Sequence, residues 1–248
     1  MTSEERHEAR YQRRKKIREE KRKQKSKECG SYEEVFSYEH LYNSGKKCIR
    51  GVSWKASIQN YARKRLSNTY KIYDKLQKSK FEFSKPFIFF INERGKTRKI
   101  QAQKIEERIV QRTLCDYVIV PTYDRTFIYD NAANRLGKGI THTLNRVNCH
   151  MQRHFRKYGL EGYIVTCDFS DFFNSASHDV VYKENEKRIF DQKVKNIANK
   201  CMEIYGEKSF GLGAHTSQIY TNITVSPLDH YMKDKLKIKE YGRKSLSG

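Results

Sequence analysis

A short apolar segment that ends in a carboxylate constrains the fold of this chain more than any other feature. Residues 163–167 are Tyr-Ile-Val-Thr-Cys, which favours a β-strand, and Asp168 follows them directly. The sequence therefore predicts a buried strand that carries Asp168 at its carboxyl end. A carboxylate there is costly to desolvate unless a cation neutralises it, and Mg²⁺ prefers oxygen ligands of this kind. The structural alternative is that Asp168 caps a helix beginning near Ser170.

Basic residues far outnumber acidic ones, 51 Lys and Arg against 29 Asp and Glu, so the formal net charge is +22. An excess of this size indicates a polyanionic partner, and nucleic acid is the commonest one. Aromatic residues make up 12% of the chain, which argues against wholesale disorder. No apolar run reaches the roughly 18–20 residues of a membrane-spanning helix. We therefore expect a cytoplasmic protein with no membrane partner, whose six cysteines are reduced thiols, mostly buried.

The amino-terminal part of the chain is basic and is followed by the only tryptophan. The first 28 residues hold 12 Lys or Arg and 6 Asp or Glu, which is typical of a solvated helix or a loose arm. Two roles remain open for this arm, a solubilising tail and RNA binding. We expect Trp54 to be buried for structural reasons, with base stacking as the alternative.

Two strand-like runs, 87–91 and 97–100, surround a turn at 92–96 and predict a β-hairpin. Gly95 lies in that turn, where it tolerates a positive φ. The tip and the return strand are basic, with Arg94, Lys96, Arg98 and Lys99.

Helical periodicity marks two segments beyond the hairpin. The first has an apolar side formed by Ile105, Ile109, Val110, Leu114 and Val118, and the second an apolar stripe formed by Leu144, Val147, Met151 and Phe155. A glycine-containing loop at 211–218 leads into a further helix, and glycine allows the backbone to approach a ligand closely.

Taken in order, these segments resemble the bacterial reverse transcriptases, which include group II intron, retron, diversity-generating and phage-defence polymerases. The resemblance runs from about residue 31 to residue 243. The motifs that carry it are Arg-Gly-Lys-Thr-Arg-Lys-Ile at 94–100, Glu-Arg-Ile-Val-Gln-Arg at 107–112, Gly-Lys-Gly at 137–139, Asp-Phe-Ser-Asp-Phe-Phe at 168–173 with His178 after it, and Gly-Leu-Gly-Ala-His-Thr-Ser-Gln at 211–218.

The resemblance implies an α+β fold of the right-hand polymerase type, with fingers, a partial palm, a helical N-terminal extension and no thumb. The implied divisions are a basic arm at 1–30, the helical extension at 31–80, the fingers at 81–160 and the partial palm at 161–248. It gives no oligomeric state.

The resemblance also implies RNA-directed DNA synthesis, with an RNA template, a DNA or RNA primer and dNTPs as partners. Asp168 and the backbone carbonyl of Phe169 would be ligands of two Mg²⁺ ions. Phe173 would form a wall under the sugar that excludes a ribose 2′-hydroxyl, and Asp171 would bind the triphosphate through its backbone amide. The residues implied to bind the nucleotide or the template are Lys96, Arg98, Asp171, Phe172, Phe173, Gly211, Leu212, Gly213, Ser217 and Gln218.

The chain departs from the family at one point that matters for chemistry. In the family a segment like 239–243 is followed by Tyr-x-Asp-Asp, whereas residues 244–248 here are Lys-Ser-Leu-Ser-Gly and the sequence contains no Tyr-x-Asp-Asp. One aspartate and one carbonyl do not hold two Mg²⁺ ions about 3.5–4 Å apart. We therefore expect a chain truncated within the palm, without efficient polymerase activity on its own. The strand at 163–168 would then be unpaired and prone to aggregation.

Two other functions remain as alternatives. One is a non-catalytic RNA-binding module of a ribonucleoprotein, and the other is a basic structural protein of such a particle. A binding module would hold RNA with a steep salt dependence and without a metal requirement.

Overall fold

The structure is a computed structural model that describes residues 2–93 and 95–244, without the side chains of Glu93 and Lys96. The described chain is mostly helical, with one two-stranded antiparallel sheet and connecting loops, so at this coarse level the expected α+β class is confirmed. The elements are α1 (Ser3–Glu28), α2 (Tyr32–Val35), α3 (Tyr38–Ile49), α4 (Ala56–Arg63), α5 (Arg65–Gln77), β1 (Phe87–Glu93), β2 (Lys96–Ala102), α6 (Ile105–Leu114), α7 (Val120–Tyr123), α8 (Ile140–Tyr158), α9 (Phe172–Ser175), α10 (Asp179–Arg188), α11 (Gln192–Glu203) and α12 (His215–His230). A π-helical turn at Cys115–Ile119 joins α6 to α7, and another at Tyr231–Lys235 extends α12.

The basic arm forms the long helix α1, which has no buried residue. Thr2 and Glu5 make a capping box at its start, where each side chain accepts a hydrogen bond from the backbone N–H of the other residue. The arm meets the rest of the chain near its end, where the backbone N–H of Phe190 donates to Ser26 Oγ (3.1 Å). The helix is therefore held by its own capping and charge pairs rather than by apolar packing.

The core forms where α6 packs between α3 and α12. The predicted apolar side of α6 is confirmed, since Ile109, Val110 and Leu114 are fully buried, Val118 is 3% exposed and Ile105 packs partly buried against the core. The other large side chains that are almost fully buried are Phe36, Leu41, Ile72, Leu76, Ile119, Tyr123, Ile189, Met202, Phe210 and Tyr220. They come from α3, α5, α7, α11, α12 and the turns beside the helices, so the core is built between helices.

The β-hairpin is confirmed, with Phe87 opposite Ala102 and Glu93 opposite Lys96. Gly95 has a φ of 76°, as the turn requires. The hairpin stands alone as a ribbon, and the side chains of Phe87 and Phe90 are mostly exposed. It is attached at its base, where the backbone N–H of Gln101 donates to the carbonyl of Leu212 (3.3 Å).

The predicted buried strand at 163–168 is wrong. Residues 160–169 lie outside helices and strands, and no backbone–backbone hydrogen bond joins residues 161–168 to the described chain. Tyr163 is 96% exposed and Val165 is 81% exposed. The physical reason is that a strand needs a neighbour for its N–H and C=O groups, and the described residues supply none here.

The end of the described chain folds back onto residues 130–132. The backbone N–H of Arg243 donates to the carbonyl of Asp130 (2.9 Å), and the N–H of Ala132 donates to the carbonyl of Arg243 (2.8 Å). Arg243 Nε also donates to both carboxylate oxygens of Asp229, at 3.0 and 2.9 Å. Asp229 is fully buried, so this charge-assisted pair fixes the last segment in place.

Within residues 2–93 and 95–244, none of the helices combines the length and the apolar character that crossing a membrane requires. All six cysteines are free, of which Cys115 and Cys201 are buried and Cys167 is exposed.

Candidate functional site

Asp168 is exposed and is not a helix cap. Its carboxylate accepts a hydrogen bond from the backbone N–H of Phe169 (2.9 Å). Helix α9 begins later, at Phe172, and its N-cap residue is Asp171. The capping alternative for Asp168 is therefore wrong, and so is the expectation that a buried strand presents its carboxylate.

Asp171 stands at a strained corner just before α9. Its φ of 47° and ψ of 39° are left-handed, which aspartate tolerates better than most residues. The corner is held locally, because the Asp171 carboxylate accepts from Asn174 Nδ2 (2.6 Å) and its carbonyl accepts from Ser175 Oγ (2.9 Å). This turn directs Phe172 and Phe173 toward the core, where both pack partly buried.

The segment after Asp171 meets the glycine-containing loop. The backbone N–H of Phe210 donates to the carbonyl of Phe173 (2.9 Å), and that of Ser209 donates to the carbonyl of Ala176 (3.2 Å). The structure thus places Phe173 beside the start of the 211–218 loop, although 37 positions separate it from Phe210 in the chain.

Gly211 has a positive φ of 67°, and Gly213 one of 108°. A Cβ on Gly211 would lie 2.2 Å from ring atoms of Tyr205, so only glycine fits there. Ser217, in the first turn of α12, donates its hydroxyl to the carbonyl of Phe210 and so closes the loop onto the helix. Gln218 is exposed, and its carbonyl accepts from Asn134 Nδ2 (3.4 Å).

The same loop carries the base of the hairpin. Leu212 accepts the hydrogen bond from Gln101, and a Cβ on Gly213 would be 3.6 Å from Ile100 Cγ2, an ordinary contact. Arg98 lies half-buried further along the same strand, opposite Ile91. Lys96 begins β2, but its side chain lies outside the described part of the structure, as does Arg94.

Three predicted segments therefore meet around this loop: Phe173 after the Asp171 corner, residues 211–217, and the hairpin base near Arg98. Two buried polar atoms lie at this loop, Gln101 Oε1 at the hairpin base and Thr216 Oγ1 within the 211–218 segment, and neither residue belongs to the predicted site. Neither has a hydrogen-bond partner among the described residues. Buried polar atoms of this kind are normally satisfied by water or by a ligand.

Among the predicted site residues, Asp168 is not joined to the 211–217 loop by any of these hydrogen bonds. Across the two described ranges, no group of three or more His, Cys, Asp or Glu side chains is arranged to hold a metal ion. Mg²⁺ needs several oxygen ligands, and the residues near Asp168 do not assemble them. The Mg²⁺ site remains a prediction of the sequence resemblance.

Trp54 is the clearest case in which the expected placement is wrong. It is 73% exposed, in the loop between α3 and α4, instead of being buried.

Comparison with known proteins finds no match among the models of protein families and no significant match among curated proteins. The resemblance to reverse transcriptases therefore rests on the sequence motifs alone.

Proposed function

We propose that this chain is the fingers and partial palm of an RNA-directed DNA polymerase of the reverse transcriptase type. The observation that carries the proposal is the meeting of three motifs that are distant in sequence. The hairpin base bonds to Leu212, and the segment after Asp171 bonds to Phe210, so the hairpin and the Phe173 segment reach the same loop. These motifs lie far apart in sequence, and a chance resemblance gives no reason for them to meet.

In this proposal the chain binds a template–primer duplex and an incoming dNTP. Arg98 and Lys96 would contact the triphosphate through charge-assisted hydrogen bonds. Residues 211–213 would line the templating pocket, and the ring of Phe173 would lie under the sugar. If a further carboxylate pair completed the site, the chemistry supplied there by Mg²⁺ would be activation of the primer hydroxyl and neutralisation of the leaving pyrophosphate. Asp168 and the carbonyl of Phe169 are the ligands proposed from this chain.

These 248 residues would bind the template–primer duplex and the dNTP without efficient DNA synthesis, because they contain no Tyr-x-Asp-Asp. A further carboxylate pair would have to complete the metal site.

The test is a binding assay with a fluorescently labelled RNA-template/DNA-primer duplex, in the presence of Mg²⁺. We expect the next complementary dNTP to tighten binding, whereas a non-complementary dNTP has no such effect. Arg98→Ala and Asp168→Ala should each abolish the gain. Lys99→Ala is the matched control, because neighbouring strand residues point to opposite faces of the hairpin. Equal effects of matched and mismatched dNTPs would overturn the proposal.

The second candidate is a non-catalytic RNA-binding module, and the observation that favours it is α1. This helix presents 12 Lys or Arg within the first 28 residues and buries none of its side chains. A binding module would hold RNA with an affinity that falls steeply with salt and does not respond to Mg²⁺ or dNTPs. The same assay, repeated over a range of salt concentrations, separates the two candidates.

A further inference from the structure

Trp54 is the most exposed aromatic feature of the helical extension. It is the only tryptophan of the chain and is 73% exposed. Tryptophan is highly buried on average, so such exposure in a folded loop calls for an explanation. The loop is ordered by backbone hydrogen bonds from Val52 to Ile49 (3.2 Å) and from Lys55 to Val52 (3.1 Å). Lys55 Nζ lies over the indole ring, 5.3 Å from its centroid.

A row of aromatic and cationic side chains leads along α3 to this loop. Tyr38, Tyr42 and Lys46 follow one another at intervals of four, which places them on one side of the helix, and Arg50 is the C-cap residue at which α3 ends. The rings of Tyr38 and Tyr42 are stacked, with centroids 6.2 Å apart. Lys46 Nζ lies 4.6 Å from the Tyr42 centroid. From Tyr38 to Lys46 the row spans about 12 Å of helix. We call these four residues together with Trp54 the Trp54 track.

Neighbouring cations strengthen the track. Arg65, at the start of α5, lies over the Tyr42 ring at 4.8 Å and donates to its hydroxyl (2.7 Å). Tyr73 meets Tyr38 edge-on, with centroids 6.4 Å apart, and so continues the aromatic surface onto α5.

The region is also free of carboxylates over a long stretch. Residues 40–73 contain eight Lys or Arg and no Asp or Glu, and Glu39 is the one acidic residue of α3. Of these cations, Lys47 is paired with Asp116 at 2.7 Å. Lys46, Arg50 and Lys55 are exposed and form no ion pair with the described residues. Their charge is available to an anionic ligand.

Aromatic faces with cations between them match one class of partner. Single-stranded nucleic acid offers flat bases for stacking and a phosphate at every step. An acidic membrane would instead need an apolar helix face, and the apolar residues of α3 and α4, such as Leu41 and Ile58, are buried in the core. A duplex keeps its bases stacked on one another and so would not present them to Trp54.

We propose that the Trp54 track binds single-stranded nucleic acid, with a base stacked on Trp54 and phosphates on Lys46 and Arg50. This site goes beyond the polymerase proposal, because it requires neither Mg²⁺ nor a dNTP and uses none of the residues assigned to that site.

The test uses the intrinsic fluorescence of Trp54, which reports on this one position because the chain has no other tryptophan. We expect a 12-nucleotide single-stranded RNA to quench it saturably in EDTA, and the duplex of the same sequence not to quench it at equal occupancy. A single-stranded DNA of the same sequence tests whether binding depends on the ribose 2′-hydroxyl. In Asp168→Ala the RNA should quench Trp54 as it does in the unchanged chain. The Trp54 site and the polymerase proposal can therefore fail independently of each other.

Variants are measured by the anisotropy of labelled single-stranded RNA, since removal of Trp54 removes its fluorescence. Trp54→Ala should weaken binding about 5- to 100-fold, and Trp54→Phe by less, because a smaller ring still stacks. Tyr231→Ala is the matched control, as Tyr231 is 53% exposed outside the track. Lys46→Ala with Arg50→Ala should reduce the slope of log affinity against log salt by about 1.4.

Circular dichroism spectra of each variant are compared with that of the unchanged chain, so that lost binding is distinguished from lost folding. Unchanged affinity in Trp54→Ala, or quenching by the duplex as strong as that by the single strand, would overturn the proposal.

Discussion

Helices α6 and α8 are both amphipathic, yet only one of them is covered. The apolar side of α6, formed by Ile109, Val110 and Leu114, is fully buried between α3 and α12. The stripe of α8 is open, with Leu144 63% exposed and Phe155 59% exposed. Periodicity thus predicts that a helix forms and which side is apolar, but it does not say whether a neighbour covers that side.

The same contrast separates the two strand-like segments. β1 finds its partner β2 directly across a short turn, so its backbone groups are paired locally. Residues 163–168 have similar strand propensity but no adjacent run to pair with, and they remain outside any sheet. Strand formation therefore depends on a partner as well as on composition.

The largest expected effect is on a matched pair of leucines in the two helices. Leu114→Ala, in the covered α6, should lower the free energy of unfolding by about 2–5 kcal/mol, because it removes buried methyl groups and leaves a cavity. Leu144→Ala, in the open α8, should change it by no more than about 0.5 kcal/mol. Urea denaturation of both variants measures the difference. Equal losses would mean that α8 is covered in solution.

A smaller effect is expected from His215, which lies at the start of α12 beside Arg112, Asp116 and Lys47. Burial, with Arg112 and Lys47 adding to it, lowers the pKa of His215 to about 4, against an ordinary value of about 6.5. The unfolded chain binds the proton first as the pH falls. The contribution of His215 to the free energy of unfolding is therefore fully present above about pH 6.5. It is lost progressively down to about pH 4, and the loss is on the order of 2–3 kcal/mol.

His215→Gln removes this titration, so thermal unfolding of the variant should depend less on pH between 6.5 and 4. His7→Gln, on the exposed helix α1, is the control and should keep the slope of the unchanged chain. Parallel curves for His215→Gln and the unchanged chain would show that His215 is not buried as described.

The smallest effect on stability, but a clear one on association, is expected at the open surface of α8 and residues 160–169. Val165→Lys should reduce self-association in light scattering while leaving the free energy of unfolding within about 0.5 kcal/mol, because Val165 is 81% exposed. Met151→Lys, on the open face of α8, should act in the same direction. If the unchanged chain is monomeric at high concentration, this surface does not drive association and the expected aggregation is wrong.

Local patterns predicted the hairpin with its glycine turn, the buried side of α6, and the loop that enters α12. Each follows from residues close in sequence, where turn geometry or helical spacing limits the choices. The placement of Asp168 and Trp54 was predicted wrongly, because burial depends on what packs against a segment from elsewhere in the chain. Their surroundings come from tertiary packing, which residue type alone does not specify.

The sequence by itself determined the basic charge, the hairpin with its turn, and the apolar sides of α6 and α8, whereas the ring of Tyr205 beside Gly211 was found only in the structure. Tertiary structure alone decided that the hairpin base, Phe173 and the 211–217 loop meet, and that the α8 stripe, residues 163–165 and Trp54 stay open to solvent. The physical reason is that spacing and propensity act within a few residues. Which surfaces are covered depends on long-range contacts, which form only where the gain from burial exceeds the entropy lost in closing the chain.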